Sequence, residues 1–335
     1  MATLSEVLRA LIPPTQRQTV AEVTEALDLG SGDRAGKRTG FLIMLTLAGI
    51  IAIAGVLTDS TATVVGAMII APLGTPILGI ALGIVTGRLS LVVRSMLWVL
   101  AGLVIVIALG LAFSVFVSTP ESLETNSQVV GRTSPSFMDL VAAIATGFAG
   151  GFAMCRKDLS AVLPGVAIAI SLVPPLGVVG VCAGQGLWTD ALGALWLFLS
   201  NVLALVIAGS VVFTLAGYAR DPESSPIANR RRAYVILGVL ALVIAIPLAV
   251  NSVVSVALAR WTVAIQDSTT AWLAGESGAR VYGVEWSGLK ATVDVTTDDG
   301  ATPPIEDLQT SLARVIPGFL GVVVDVGPAV EITVQ

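Results

Sequence analysis

Seven apolar runs, each about as long as a helix that crosses a lipid bilayer, constrain what this chain can fold into. Such a helix needs about 20 residues. The runs cover residues 41–57, 61–87, 91–118, 137–155, 159–184, 188–217 and 233–256. The composition agrees, because 12% of the 335 residues are charged, whereas soluble domains carry about 25%. We therefore expect an all-α polytopic membrane protein with seven transmembrane helices.

Lysines and arginines beside the runs predict the orientation, since cytoplasmic loops retain positive charge. Arg34, Lys37 and Arg38 precede the first run and place the N-terminus in the cytoplasm. If each run crosses once, the other basic groups also lie inside: Arg88, Arg156-Lys157, and Arg220 with Arg230 to Arg232. The sequence thus predicts a multi-pass protein of the cell (inner) membrane, with a cytoplasmic N-terminus and an extracytoplasmic C-terminal part.

The remaining segments are predicted to differ in structure. Residues 1–39 form cytoplasmic amphipathic helices, Leu4 to Ile12 and Thr19 to Leu27. Residues 119–136 are polar without a hydrophobic period and predict a flexible outer loop. Residues 218–256 hold a cytoplasmic loop and the seventh span. Residues 257–335 hold a stalk helix and a small α+β domain, with strands at Val281 to Trp286, Lys290 to Thr296, Gly321 to Val326 and Ala329 to Val334, and a helical period from Pro304 to Ile316.

An internal repeat relates the second and fifth runs at an offset of 99 residues. Six of 18 aligned positions are identical: Asp59/Asp158, Ala62/Ala161, Gly66/Gly165, Ile69/Ile168, Leu73/Leu172 and Pro76/Pro175. Each run is the middle one of three, so the transmembrane core 40–217 divides into repeat one, 40–118, and repeat two, 137–217. Three crossings per repeat give the repeats opposite directions in the membrane. This 3+3 inverted arrangement recurs in secondary transporters.

Both middle helices are predicted to be broken near the bilayer centre. Prolines remove a backbone donor and clash with the preceding turn, and each middle run carries two of them within a few residues, Pro72 and Pro76 in the second and Pro174 and Pro175 in the fifth. The freed backbone groups must face protein or a water-filled cavity. We expect the second half-helices to begin at Thr75-Pro76 and Pro174-Pro175. Two kinked structural helices that pack closely would leave similar marks in the sequence.

The converging half-helix starts predict a binding site. Their positive dipole ends favour an anion or a carboxylate-bearing solute, and carbonyls near Ile70-Ala71 and Ile170-Ser171 could hold a coupling sodium ion. A proton is the alternative coupling ion, and no other cofactor is expected. Asn201 adds an amide from the sixth span, as a ligand contact or as an interhelical hydrogen bond. The candidate site residues are Ala71, Gly74, Thr75, Pro76, Ser171, Val173, Pro174, Pro175 and Asn201.

Other classes of function are disfavoured by the residue inventory. Histidine is absent, which removes imidazole metal sites and histidine-dependent catalysis, so we do not expect an enzyme. Outside the membrane-flanking loops there is no basic run that would bind nucleic acid. The small residues Gly147, Gly150 and Gly151 suit close helix packing, either in a homo-oligomer or within one chain.

Three segments resemble the signature blocks of a known family. They are STATVVGAMIIAPLGTPILG, LPGVAIAISLVPPLGVVG and FLSNVLALVIAG, and they occur in the order found in the prokaryotic uncharacterised hydrophobic domain family, domain of unknown function 389. The likeness covers roughly residues 40–215. It implies a prokaryotic integral membrane protein and carries no catalytic or binding residue.

The leading functional expectation is a secondary transporter of a small anionic or carboxylate-bearing solute, with a midplane site between the broken helices. An ion channel with the same site is one alternative. A second is a non-transporting membrane anchor or envelope sensor that acts through its extracytoplasmic C-terminal domain. The expected partners are the solute or ion and the lipid bilayer.

Overall fold

The computed structural model describes residues 12–117, 119–133, 137–159, 172–220, 227–274, 279–287, 290–297, 302–318 and 320–328. The chain divides into two compact units, Met1–Ala249 and Val250–Gln335. The predicted helix Leu4 to Ile12, apart from Ile12, and the predicted strand Ala329 to Val334 lie outside the described residues.

The first unit is mainly helical in its described part. Its helices are α1 (Val20–Leu27), α2 (Arg34–Leu57), α3 (Thr61–Ile70), α4 (Gly74–Thr86), α5 (Leu89–Phe113), α6 (Glu121–Glu124), α7 (Ser127–Thr133), α8 (Phe137–Cys155), α9 (Val173–Gly184) and α10 (Trp188–Leu215). Short 3-10 turns follow α5 and α10, at Ser114–Phe116 and Tyr218–Arg220. Helix α11 (Ile227–Trp272) comes next and contains the seventh apolar run.

Four of these helices are long and apolar enough to cross a membrane, namely α2, α5, α8 and α10, and the bent pair of α3 and α4 makes a fifth if it is one span. In chain order, α2, the α3–α4 pair, α5, α8 and α10 coincide with apolar runs one, two, three, four and six. The fifth run is described only from residue 172 onward and contributes the shorter apolar helix α9. A membrane protein is thus supported by up to five spans.

Side-chain caps explain where three helices of the first unit begin. Thr19 and Glu22 form a reciprocal capping box at α1. Asp33 accepts a hydrogen bond from Gly36 N at α2, and Ser60 accepts one from Thr63 N at α3. These short polar side chains satisfy amide groups that the first turn of a helix leaves without a partner.

The prediction of a flexible loop at residues 119–136 is wrong, because much of this segment folds into α6 and α7. Leu123 and Val129 are only 2% and 1% exposed, and Asn126 Nδ2 donates to Val56 O at 2.8 Å. Ser127 Oγ donates to Asp59 Oδ1 at 2.6 Å, and this hydrogen bond is the main reason that the pKa of Asp59 is lowered. Two buried side chains and contacts with the α2–α3 turn order a segment that has no hydrophobic period of its own.

The glycines Gly147 and Gly151 of α8 pack against another helix of the same chain. A Cβ on Gly147 would lie 2.7 Å from Ala208 Cβ, and one on Gly151 would lie 3.3 Å from Gly209 Cα. Helices α8 and α10 therefore approach closely because Gly147 and Gly151 carry no side chain. Of the two interpretations of this glycine surface, the packing within one chain is the one observed at these two positions.

The second unit contains a small sheet, as the sequence predicted. Its strands β1 (Arg280–Ser287), β2 (Lys290–Thr297) and β3 (Gly321–Pro328) lie in the order β1-β2-β3, and helix α12 (Ile305–Leu312) falls between β2 and β3. Strands β1 and β2 are antiparallel, and β2 and β3 are parallel. Alternate residues of β2 are buried with Ile265 of α11, with Leu273 just after α11 and with Leu308 of α12.

Candidate functional site

The second span is broken at the position that its prolines predict. Helix α3 ends at Ile70 and α4 begins at Gly74, with a bend of 48° between them. Ala71 has an extended backbone, with φ −72° and ψ 124°, because the ring of the following Pro72 disfavours helical geometry. Neither Pro72 nor Pro76 has an amide hydrogen for the helical hydrogen-bond ladder.

Most of the broken segment is buried in the protein. Ala71 is 9% exposed and Leu73 is fully buried, while Gly74 and Pro76 are buried and Thr75 is half-buried. Leu73 fits against α5 because a Cβ on Gly102 would lie only 2.6 Å from Leu73 Cδ2. The half-helix begins at Gly74, one residue before the predicted Thr75-Pro76 start.

The fifth span has a matching half-helix start. Helix α9 begins at Val173, with Pro174 and Pro175 in its first turn, and all three residues are buried. Proline suits this position because its φ angle is helical and first-turn amides need no intrahelical acceptor. Residues 160–170 and Ser171 lie outside the described residues. The prediction of a first half-helix in this run and the predicted Ser171 contact therefore stay predictions.

Polar groups are few at the starts of α4 and α9. The N-cap residues Leu73 and Leu172 make no side-chain capping hydrogen bond. Thr75 N donates to Pro72 O at 3.2 Å, and Pro76, Pro174 and Pro175 have no N–H. The starts therefore offer the positive ends of two helix dipoles with few amide donors, which suits a weakly held anion better than a tightly chelated one.

Asn201 is buried in the middle of α10, with 2% of its surface exposed. Phe198 and Leu205, one turn away on either side, belong to the same hydrophobic cluster as Leu73 and Val173. The structure thus brings both half-helix starts and the Asn201 region of α10 into one core. The neighbouring Ser200 hydroxyl donates to Leu197 O at 2.8 Å within its own helix.

Sequence reasoning missed one buried ion pair. Asp28, which is 5% exposed, contacts Arg94 of α5 through Oδ2 and Nη2 at 3.1 Å. Asp28 Oδ1 also accepts a hydrogen bond from Gly30 N at 2.7 Å. The available signal was Arg94 itself, because an arginine within an apolar run usually has a carboxylate or carbonyl partner.

Oxygen atoms at the break are the groups that could hold a cation. They are the backbone carbonyls at the end of α3 and the Thr75 hydroxyl. Among the described residues, no three His, Cys, Asp or Glu side chains form a cluster that could hold a metal ion.

The similarity to known proteins lies in the same part of the chain. Residues 68–207, which include both half-helix starts and Asn201, match the family model Domain of unknown function (DUF389). An uncharacterised protein of Methanocaldococcus jannaschii is 32% identical over 210 residues, which are 61% of this chain and 64% of that protein. The chain thus spans slightly less than two thirds of that relative. No solved structure matches the chain. The match to the DUF389 family model therefore falls on the part of this chain, residues 68–207, that holds several helices apolar enough to span a membrane.

Proposed function

We propose that this protein is a secondary transporter of a small anionic or carboxylate-bearing solute, with the site between the broken second and fifth spans. The proposal includes seven spans, a 3+3 inverted repeat and a location in the bacterial inner membrane. The observation that carries it is the break at Ala71 to Leu73. Irregular backbone at membrane depth is tolerated only inside protein or beside a water-filled cavity, and transporters place their sites at such breaks.

The positions of the helices support the inverted repeat. Helices α4 and α9 begin at Gly74 and Val173, and α5 and α10 begin at Leu89 and Trp188. Both pairs of starts are 99 residues apart, because 173 − 74 and 188 − 89 give the same offset as the sequence identities. The starts of α5 and α10 lie outside the 18 aligned positions that gave this offset.

Contacts between the repeats support the same symmetry. A Cβ on Gly110 of α5 would lie 2.6 Å from Gly177 O and 2.8 Å from Gly180 Cα of α9. A Cβ on Gly209 of α10 would lie 2.8 Å from Leu78 Cδ2 and 3.2 Å from Ala81 Cβ of α4. Each residue in the second set is 99 positions from its counterpart in the first. The third helix of each repeat thus touches the second half-helix of the other, as in an isologous two-fold interface.

Contacts at the two ends of the bundle support a full crossing by the α3–α4 pair rather than a re-entrant loop. At the start of α3, Thr61 Oγ1 accepts from Gln128 Nε2 at 2.8 Å, in the segment predicted outside. Just beyond the end of α4, Arg88 Nη1 lies 3.5 Å from Thr24 Oγ1, in the segment predicted inside. The opposite ends of the pair therefore meet segments that were assigned to opposite sides.

The transport hypothesis is tested on the full chain with chosen probes. Acetate, glutamate, lactate and inorganic phosphate are screened, in sodium and in choline buffers, for an increase in Tm. A solute that raises Tm is then followed as radiolabelled uptake into proteoliposomes. Saturable uptake indicates a transporter, and uptake that rises linearly with concentration indicates the channel alternative.

Substitutions at the site give the decisive result. We expect Thr75→Val, Ser171→Ala and Asn201→Leu each to lower uptake about 10-fold, the effect of one lost hydrogen bond of about 1.4 kcal/mol. Thr58→Val is the matched control, because the Thr58 hydroxyl donates only to Ala54 O, on the exposed end of α2. Unchanged uptake in all three site variants would show that the proposed site is wrong.

A membrane anchor or envelope sensor is the second candidate, favoured by the separate hydrophobic core of the C-terminal unit. This function predicts that deletion of residues 260–335 abolishes activity in cells while the three site substitutions have little effect. The transporter predicts the opposite order of severity.

A further inference from the structure

Residues 12–33, which we call the strap, cross one end of the bundle and bind both repeats. On repeat one, the strap buries Val23 and Leu27, which are 0% and 2% exposed, and α1 packs on α4. A Cβ on Gly79 of α4 would lie 3.3 Å from Leu27 O. The Asp28–Arg94 ion pair joins the same segment to α5. The repeat-one contacts therefore combine apolar burial with a buried carboxylate.

On repeat two, the strap is held by backbone hydrogen bonds. Gln18 N donates to Cys155 O at 2.9 Å, and Lys157 N donates to Gln16 O at 2.8 Å. These two bonds flank an antiparallel bridge between Arg17 and Arg156.

Side chains add further contacts on the repeat-two side. Tyr218 Oη donates to Gln18 O at 2.9 Å, and the Arg17 guanidinium lies 5.1 Å from the Tyr218 ring centroid. Lys157 Nζ pairs with Glu22 Oε1 at 3.2 Å. The strap thus reaches the end of α8 and the turn that follows α10.

The two attachments differ in strength. The Lys157 and Glu22 side chains are 49% and 47% exposed, and exposed ion pairs contribute little to stability. The repeat-one side instead has a carboxylate that is 7% exposed in its side chain and several buried apolar side chains. Any motion that separates the repeats at this end should therefore break the repeat-two contacts first, while the strap stays on α4 and α5.

We propose that the strap is the cytoplasmic closure of the transport pathway: it remains attached to repeat one and must release α8 and Tyr218 of repeat two before this end of the bundle opens. This inference rests on the proposed transport function. It gives the segment before the first span a mechanical role, since one continuous stretch fastens both repeats at the same end. Alternating access requires that such fastening be reversible.

A disulfide at the Arg17–Arg156 bridge tests the proposal directly. The flanking hydrogen bonds make this a non-hydrogen-bonded antiparallel pair, whose Cα atoms are typically about 4.5 Å apart, within the range for a disulfide. Arg17→Cys and Arg156→Cys are combined in a Cys155→Ala, Cys182→Ala background. The two single-thiol variants, treated with the same oxidant, control for the lost charges and for oxidation.

Two readouts separate the strap from the transport site. The first is hydrogen exchange of α4 amides in the full chain in lipid, which reports opening beneath the strap without any substrate. The second is the reaction of Thr75→Cys with a membrane-impermeant maleimide, in inside-out and right-side-out vesicles. We expect the disulfide to slow α4 exchange at least fivefold. It should slow Thr75→Cys labelling from the strap side at least tenfold, leave labelling from the other side unchanged, and be reversed by dithiothreitol.

Each other outcome has a definite meaning. If the disulfide does not form, or forms and changes neither exchange nor labelling, the strap proposal is overturned. If the disulfide slows exchange but Thr75→Cys is labelled from neither side in the reduced protein, the strap is a reversible fastener and the transport site at the break is wrong.

Discussion

At the scale of single residues, the most informative feature of the fold is an ion pair whose carboxylate, on Asp28, is buried. Asp28 and Arg94 both stand in the sequence as isolated charges beside apolar segments, and only folding brings them to 3.1 Å. Arg94 lies within the third apolar run. Its partner lies 66 positions earlier, and no local period relates the two residues, so the pair could not be predicted from spacing.

The Asp28→Asn variant should destabilise the protein by about 1–3 kcal/mol, because hydrogen bonds to charged groups lie in that range. The amide retains an acceptor for Gly30 N but leaves the partly buried Arg94 without its counter-charge. Apparent Tm in detergent micelles, from the intrinsic tryptophan fluorescence, is the measurement. Asp33→Asn is the control, since Asp33 caps α2 from an exposed position. An equal Tm for the two variants would contradict a stabilising role of the ion pair.

At the scale of elements, prolines determine where α3 ends and where α4 and α9 begin, and glycines determine where two helices pack closely. The α3–α4 break was predictable because the effect of proline on its own backbone is local. The contact between α5 and α9 was not predictable, because a glycine in a membrane helix indicates close packing but not which helix packs against it. Gly110, Gly177 and Gly180 meet backbone to backbone across 67 to 70 positions of sequence.

The Gly110→Ala variant should lower stability by about 1–3 kcal/mol through overpacking, because its Cβ would meet backbone atoms of α9 at 2.6 and 2.8 Å. Gly209→Ala, the same change 99 positions later, should cost less, since the nearest atom to its Cβ would be Leu78 Cδ2 at 2.8 Å, at the end of a side chain that can move. Gly40→Ala is the control, because in the described part of the chain the added Cβ would meet no atom within 4 Å apart from the neighbouring backbone of its own helix. Apparent Tm should fall in the order Gly40→Ala, Gly209→Ala, Gly110→Ala, and a reversed order would argue against the backbone contact.

At the scale of the whole molecule, the chain has two units with separate hydrophobic cores. Clusters in the first unit involve the transmembrane helices and the strap, whereas the cluster of the second unit involves β2, α12 and the end of α11. Val293, at the centre of β2, is fully buried. Each core should therefore respond to its own substitutions.

The Val293→Ala variant should destabilise the second unit by about 2 kcal/mol through a core cavity and leave the first unit unchanged. Hydrogen exchange measured on the full chain resolves the two, with faster exchange in residues 280–328 and unchanged exchange in residues 74–86. Val323→Ala is the control because Val323 is 40% exposed on β3. Faster exchange in both units would show that they unfold together.

The sequence alone determined the membrane class, most helix bounds, the α3–α4 proline break, the proline-rich start of α9 and three strands of the C-terminal sheet, because each depends on hydrophobic period or on backbone chemistry within a few residues. Tertiary structure decided the rest. Helices α6 and α7 formed in a predicted loop because two side chains are buried against neighbouring segments. The strap is held at the end of α8 by backbone hydrogen bonds, which leave no mark on residue type. Contacts between distant segments depend on shape complementarity that exists only after folding, so they could not be predicted from one sequence.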